Sequence, residues 1–178
     1  MKINAATRLT AVDLAPQSVF TDTDGDWMLA KLQKRFNTKK TRIGKDRNGL
    51  VFWWVTPKYL VCTDKDKVVA YISFYSSPKK MAVENEKGRL NVRQISTTYV
   101  DPPYRGKGLV LGMHQYLVTQ SSLLSDDIYT PQGIAVWHRL KQMGYKIETV
   151  QVGGGRIYVD PSLKWSDRDA LLLIRGRT

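Results

Sequence analysis

The stretch Tyr99-Val100-Asp101-Pro102-Pro103-Tyr104-Arg105-Gly106-Lys107-Gly108-Leu109 constrains the fold more than any other part of the chain. A strand ending near Val100 is stopped by Pro102 and Pro103, which cannot donate to a sheet ladder. A helix is expected to start at Leu109, after a short basic turn with two glycines. A helix start presents unpaired N–H groups and a partial positive charge, so it attracts phosphate. Gly106 and Gly108 let backbone amides approach an anion with no Cβ in the way. Arg105 and Lys107 add charges that pair with phosphate oxygens. The same residues also suit an ordinary strand-to-helix turn, and glycine and charge alone do not separate the two readings.

Val100-Asp101-Pro102-Pro103-Tyr104-Arg105-Gly106-Lys107-Gly108-Leu109 resembles the acyl-CoA signature of the GNAT superfamily of N-acetyltransferases. That signature is a strand ending in valine, then x-P-x-x-R-G-x-G, then a helix. The match is close here and looser over residues 50–150. The resemblance implies a single domain (residues 1–178) with a mixed α/β fold. Its sheet would be mostly antiparallel, with a β-bulge, splayed central strands and helices on both faces. It also implies acetyl-CoA or another acyl-CoA as cofactor, with Tyr99, Val100, Arg105, Gly106, Lys107, Gly108, Leu109 and Val110 around its diphosphate. Val110 departs from the family, which usually has Gly or Ala there, and its β-branch would crowd the diphosphate.

The chain's 178 residues are enough for one domain with a sizeable core. Its single cysteine, Cys62, excludes a disulfide framework and fits a small apolar strand position. No run approaches a membrane span or a signal-peptide core, so a cytoplasmic location without membrane contact is expected. The formal charge of +12 is the compositional anomaly. It calls for an anionic partner, nucleic acid first and a phosphorylated cofactor second. The charge concentrates in residues 31–47, where eight basic residues face one acid, Asp46. Lys39, Lys40, Arg42, Lys45 and Arg47 are the candidate nucleic-acid contacts. The competing reading is a solvated helix face followed by a loop.

Taken in order, residues 2–12 suit an edge strand. A helix is expected near Asp26, capped by Thr23 or Asp24, with Met28, Leu29, Leu32 and Phe36 on one side. Residues 50–55 are apolar on both faces and suit a central strand. Residues 59–63 and 68–75 pair across the turn Asp64-Lys65-Asp66-Lys67, and 76–88 is a polar loop. In the strand over 89–100 the apolar phase slips, since Leu90 and Val92 have one parity, Ile95 and Tyr99 the other. A one-residue bulge between the pairs would bring all four to one face. A mostly apolar helix follows over 109–120, then a short buried strand at Leu123-Leu124. The next helix starts at Thr130-Pro131, faces inward with Ile134, Val136, Trp137, Leu140 and Met143, and stops at Gly144. Gly153-Gly154-Gly155 joins a hairpin. Residues 170–174 suit either a strand or a short helix.

Moving an acyl group to an amine needs a proton acceptor, a donor for the developing oxyanion and a proton donor for the leaving thiolate. In GNAT enzymes a backbone amide on the bulged strand often serves the oxyanion. A glutamate on that strand often serves as base, and a tyrosine four residues before the glycine ending the later helix as acid. Here the bulged strand offers Gln94, Ser96, Thr97 and Thr98, and the position four before Gly144 is Leu140. The replacement candidates are Ser125, Asp126 and Tyr129, where a parallel strand ends on the same sheet edge as the glycine turn. Ser125 and Asp126 equally suit a plain strand end. His114 is expected to be bonded inside its helix and His138 exposed, and neither belongs to a metal-binding spacing.

Three readings of function follow. The first is an acyl-CoA-dependent N-acyltransferase whose acceptor is carried on RNA or DNA; a DNA-base modifier of the Mom type is a variant of it. The second is a non-catalytic CoA-fold module that recruits or inhibits a partner through its basic face. The third is a plain nucleic-acid-binding protein that takes no CoA.

Overall fold

A computed structural model of the chain describes residues 22–38, 41–45, 49–126, 131–165, 167 and 170–176. These form helices α1 (Asp22–Phe36), α2 (Leu109–Val118) and α3 (Pro131–Gln142). The strands are β1 (Thr41–Lys45), β2 (Val51–Thr56), β3 (Tyr59–Asp64), β4 (Lys67–Phe74), β5 (Lys79–Val83), β6 (Arg89–Val100), β7 (Ser122–Leu124), β8 (Ile147–Gly153), β9 (Arg156–Val159) and β10 (Leu171–Ile174). The result is a mixed α/β fold with a mostly antiparallel sheet. The expected strand over residues 2–12 lies outside the described residues.

Strand β6 is shared by two differently shaped parts. Strands β1 to β4 form an antiparallel meander that ends on β6, where β4 pairs with its second half. On the first half of β6, β5 takes over the edge that β4 leaves, and β7 lies parallel on the opposite edge. The pairings β5 to β9, β9 to β8, β8 to β10 and β10 to β7 then close a ring of six strands. Met81, Val83, Val92, Leu124, Val150, Ile157 and Leu173 fill it, so that every strand of the ring contributes. Helix α1 covers one face of the meander, while α2 and α3 cover the other.

Several expectations are corrected. Helix α1 starts at Asp22, so Thr23 and Asp24 lie inside its first turn and not at the N-cap position before it. Among the described residues Thr41–Lys45 is the edge strand, which puts β2 one strand in from that edge and not at the centre. Lys79–Val83 is a strand within the expected loop. Residues 171–174, which suited either a strand or a short helix, are a strand lodged between β8 and β7. Met143 is 46% exposed and not part of the inward face of α3. The hairpin at Gly154 and Gly155 and the stop at Gly144 are as expected, with positive φ at all three.

The bulge in β6 exists, but at Ser96. Ser73 pairs with Thr97 and Phe74 with Ile95, so Ser96 has no counterpart on β4. Its effect is to separate apolar residues and not to unite them. Leu90 and Val92 pack into the ring, Ile95 against α2 and α3, and Tyr99 against α1.

Leu29, Leu32 and Phe36 seat α1 on Val61, Val68, Tyr71 and Tyr99. The phenol of Tyr99 donates to Asp26 at 2.9 Å. Gly25 lies on the same helix face one turn earlier. A Cβ there would stand 2.1 Å from the Tyr99 ring. Alanine gains about 1 kcal/mol over glycine in a helix, but an overlap this deep forces α1 off its seat, at a cost of roughly 1–3 kcal/mol or more. Gly25→Ala is therefore expected to lower the thermal midpoint. An unchanged or higher midpoint would show that α1 does not rest on Tyr99.

Candidate functional site

Between β6 and α2 the chain makes a 3-10 turn at Pro102–Tyr104 and then the glycine turn. Tyr104 N–H donates to the Asp101 carbonyl at 2.8 Å and Arg105 N–H to the Pro102 carbonyl at 3.2 Å. Gly106 and Gly108 have φ of 74° and 75°, a left-handed conformation that a Cβ would strain, and open space where the Cβ would be. Gly108 is the N-cap of α2, and the first bond of the helix runs from Gly112 N–H to the Gly108 carbonyl. The N–H groups of Leu109, Val110 and Leu111 precede that bond. Among the described residues, no backbone carbonyl accepts from Gly106, Lys107 or Gly108. Successive donors, glycines at positive φ and a helix N-terminus of ten residues make a cradle suited to a diphosphate.

Three carboxylates surround this cradle, and each is tied to a donor. Asp101 holds Lys67 Nζ at 2.7 Å, which raises the lysine pKa. Asp64 accepts the Tyr104 phenol at 2.8 Å, and that bond pushes the phenol pKa up. Asp26 accepts from Tyr99. Arg105 donates Nε–H to the Val100 carbonyl at 3.1 Å, with its guanidinium 5.6 Å from the Tyr99 ring. Lys107 Nζ lies 4.7 Å from the Tyr104 ring. Both cations stay exposed beside the glycines.

Of the residues expected around the cofactor, 105 to 110 are brought together by the turn and the first turn of α2. Tyr99 is not, because the Ser96 bulge turns its ring into the α1 core, leaving it 5% exposed. Val100 packs against the α2 side. Val110 is half-buried, and its carbonyl accepts from His114 Nδ1 at 2.8 Å.

The second half of the site is a gap in the sheet. β6 and β7 pair only from Val92 with Ser122 to Gln94 with Leu124. Beyond that rung β7 turns towards β10, where Ser125 N–H donates to the Leu172 carbonyl and Leu172 N–H to Ser125 Oγ at 2.8 Å. The β7-side edge of β6 from Ile95 to Val100 has no strand partner among the described residues. It presents alternate N–H and C=O groups to the opening.

Ser125 is fully buried with its hydroxyl on Leu172, an arrangement that fixes the chain just before Asp126. Asp126 is half-buried at the mouth of the gap and accepts the Tyr75 phenol at 2.9 Å. Tyr129 lies outside the described residues. Sequence reasoning missed Tyr75, which it left at the end of a strand before a polar loop; no local pattern points to a partner 51 residues away. Lys39, Lys40 and Arg47 lie outside the described residues, and for Arg42 and Lys45 only the strand backbone is described. Among the described residues no group of three or more His, Cys, Asp or Glu could hold a metal ion, and no helix is long and apolar enough to cross a membrane.

Residues 27–121, more than half of the chain, match the model of the acetyltransferase (GNAT) family. The chain belongs to that family. No curated protein matches it. Among solved structures, the Bacillus subtilis N-acetyltransferase YlbP in complex with coenzyme A is similar at 14% identity, over 89% of this chain and 84% of that one, with a TM-score of 0.45. The Escherichia coli GNAT family N-acetyltransferase YhbS, in complex with CoA, has 18% identity over 84% and 67%, with a TM-score of 0.40. The ribosomal-protein-S18-alanine N-acetyltransferase of Escherichia coli has 12% identity over 90% and 93%, with a TM-score of 0.42.

Helix α2 carries a titratable group directly under the cradle. His114 is buried, edge-on to Trp137, and donates its Nδ1 proton to the Val110 carbonyl. Burial lowers its pKa from 6.5 to about 4. As pH falls from 6.5 to about 4 the unfolded chain takes a proton that the folded chain refuses, so stability drops across that window and levels off below it. The full effect is about 3 kcal/mol. His114→Gln is expected to flatten thermal midpoint against pH over this range. A wild-type slope that persists in the variant would place the titration elsewhere.

Proposed function

We propose that the protein transfers an acyl group from acetyl-CoA, or another acyl-CoA, to an amine carried on RNA or DNA. The observation that supports the first half is the joining of two features at the end of β6, a cradle of free N–H groups and an unpaired strand edge leading away from it. The amides of residues 106–111, with Arg105 and Lys107, would hold the diphosphate. The open edge of β6 would offer backbone groups to the amides of the pantetheine arm, and the strand near Ser96 a donor for the developing oxyanion. Bound there, the acyl-CoA would supply an activated carbonyl. Asp126, which follows the anchored Ser125, would accept the proton of the acceptor amine.

The nucleic-acid half rests on charge. α1 exposes Lys31, Lys34 and Arg35, and Trp27 is 61% exposed with Lys31 Nζ 4.7 Å from its ring. The basic run continues to residue 47 in a chain of net charge +12. Cations beside an exposed aromatic ring suit a phosphate backbone with a base to stack.

Two measurements test the two halves separately. Acetyl-CoA is expected to raise the thermal midpoint of the wild type by several degrees, while Arg105→Glu loses the shift. No shift in the wild type overturns the cofactor site. Binding to tRNA or duplex DNA is expected to weaken steeply between 50 and 200 mM salt, by about tenfold or more, and to fall further in Lys31→Glu/Lys34→Glu. Binding that is absent at low salt overturns the nucleic-acid acceptor. A cofactor shift with no thiol released in the presence of tRNA, DNA or peptide amines would favour the non-catalytic module.

A further inference from the structure

The family's usual carboxylate and phenol are missing from their positions, yet a phenol and a carboxylate meet at the mouth of the gap. Tyr75 follows the last residue of β4. Its N–H donates to the Gln94 carbonyl at 3.2 Å, on the edge of β6 opposite β7. Gln94 is also the last residue of β6 that β7 pairs with. Tyr75 is thus anchored at the level where the two strands part, and its side chain reaches past the end of β7 to Asp126 Oδ1 at 2.9 Å. Tyr75 is 48% exposed, so its phenol is open to solvent at the mouth of the gap. From Val100, next to the cradle, back to Gln94 is six residues of strand, about 20 Å. That is the reach of an extended pantetheine arm from its diphosphate. Arg93, the neighbouring cation on β6, is turned away onto Trp54 and Phe74, with Nη1 on the Pro57 carbonyl at 2.9 Å.

We infer that Tyr75 and Asp126 form a two-residue proton relay at the reacting end of the site, with Tyr75 as the acid that protonates the departing sulfur. The inference rests on the cofactor half of the proposed function. Asp126 takes a proton from the acceptor nitrogen as the new C–N bond forms. The C–S bond breaks and its electron pair leaves with sulfur. Tyr75 gives its phenol proton to that sulfur and takes the proton held by Asp126. One proton passes from nitrogen to sulfur, and the pair ends as it began. Tyr75 is contributed by the β4–β5 connection, on the opposite side of β6 from the helix that carries the acid in the family pattern.

The relay can be tested without knowing the acceptor, with free CoA as the probe and Tyr75→Phe and Asp126→Asn as variants. Both should keep the thermal shift given by CoA, because neither residue touches the cradle. The rate at which iodoacetamide alkylates the bound CoA thiol, followed against pH, reports the thiolate; Cys62, the protein's own thiol, is buried. A phenol donating to the thiolate favours it and a nearby carboxylate disfavours it. Tyr75→Phe is therefore expected to move the alkylation midpoint to higher pH, slowing alkylation at pH 7 about threefold or more, and Asp126→Asn to move it to lower pH. Opposite shifts support the relay, since a merely structural hydrogen bond would change melting alone. Retained CoA binding with unmoved midpoints, or with both moved the same way, overturns the relay and leaves the cofactor site standing. No CoA-induced shift in the wild type overturns the cofactor site, and the relay with it.

Discussion

Ser96 has no counterpart on β4, and most of the site's geometry depends on that one extra residue. Side chains on a strand alternate faces, so an added residue reverses the facing of everything after it. Ile95 packs under α2 and α3, while Tyr99, four residues on, packs under α1. Without the bulge Tyr99 would share the face of Ile95, and the phenol that holds Asp26 and the ring that seats Gly25 would both be on the wrong side. The same extra residue sits midway along the stretch of β6 that β7 leaves open. One local irregularity therefore docks a helix at the level of the gap.

The cradle illustrates how an anion site coexists with acidic neighbours. Asp26, Asp64 and Asp101 all lie within the shell of side chains around the glycine turn. Unpaired, they would repel a diphosphate. Each accepts a specific donor, Tyr99, Tyr104 and Lys67, while Arg105 and Lys107 stay exposed. Lys67 is 62% exposed, so its pair with Asp101 adds little to stability. Its consequence lies in the local field, where it cancels a charge within reach of the helix start. The two glycines complete the arrangement because only they adopt φ near 75° without strain.

What could be read from the sequence were the features whose cause is local. The glycine turn, the hairpin turns, the apolar stripe of α1 and the phase slip in β6 all follow from neighbours in the chain. The edge strand Thr41-Arg42-Ile43-Gly44-Lys45 did not, because its composition is that of a solvated basic segment and only pairing with β2 makes it a strand. Lys79-Lys80-Met81-Ala82-Val83 looked like part of a polar loop for the same reason; its place is set by the edge of β6 that β4 vacates, and Met81 and Val83 then fill the ring. The slip in β6 showed that a bulge was needed. Its position depends on register with β4, which no periodicity within β6 contains. The same limit hid Tyr75, whose partner Asp126 is brought near only when β7 leaves β6.

Why the strands part at Gln94 has a geometric answer. β6 belongs to two structures with different curvature. Its second half lies in an antiparallel meander that spreads under α1 on one face and α2 on the other, and this half must stay open enough to be covered by helices. Its first half is one stave of a six-strand ring, which closes only if each strand bends away from its neighbour's continuation. β7 can follow β6 through three rungs, but β10 then holds it in the ring through Ser125 and Leu172. The gap opens where the demands of ring and meander conflict. An opening produced this way is not a loop that can close by local collapse: filling it would require breaking either the ring or the pairing of β4. The rigid gap, more than any single side chain, is what keeps a length of strand edge available beside an anion cradle.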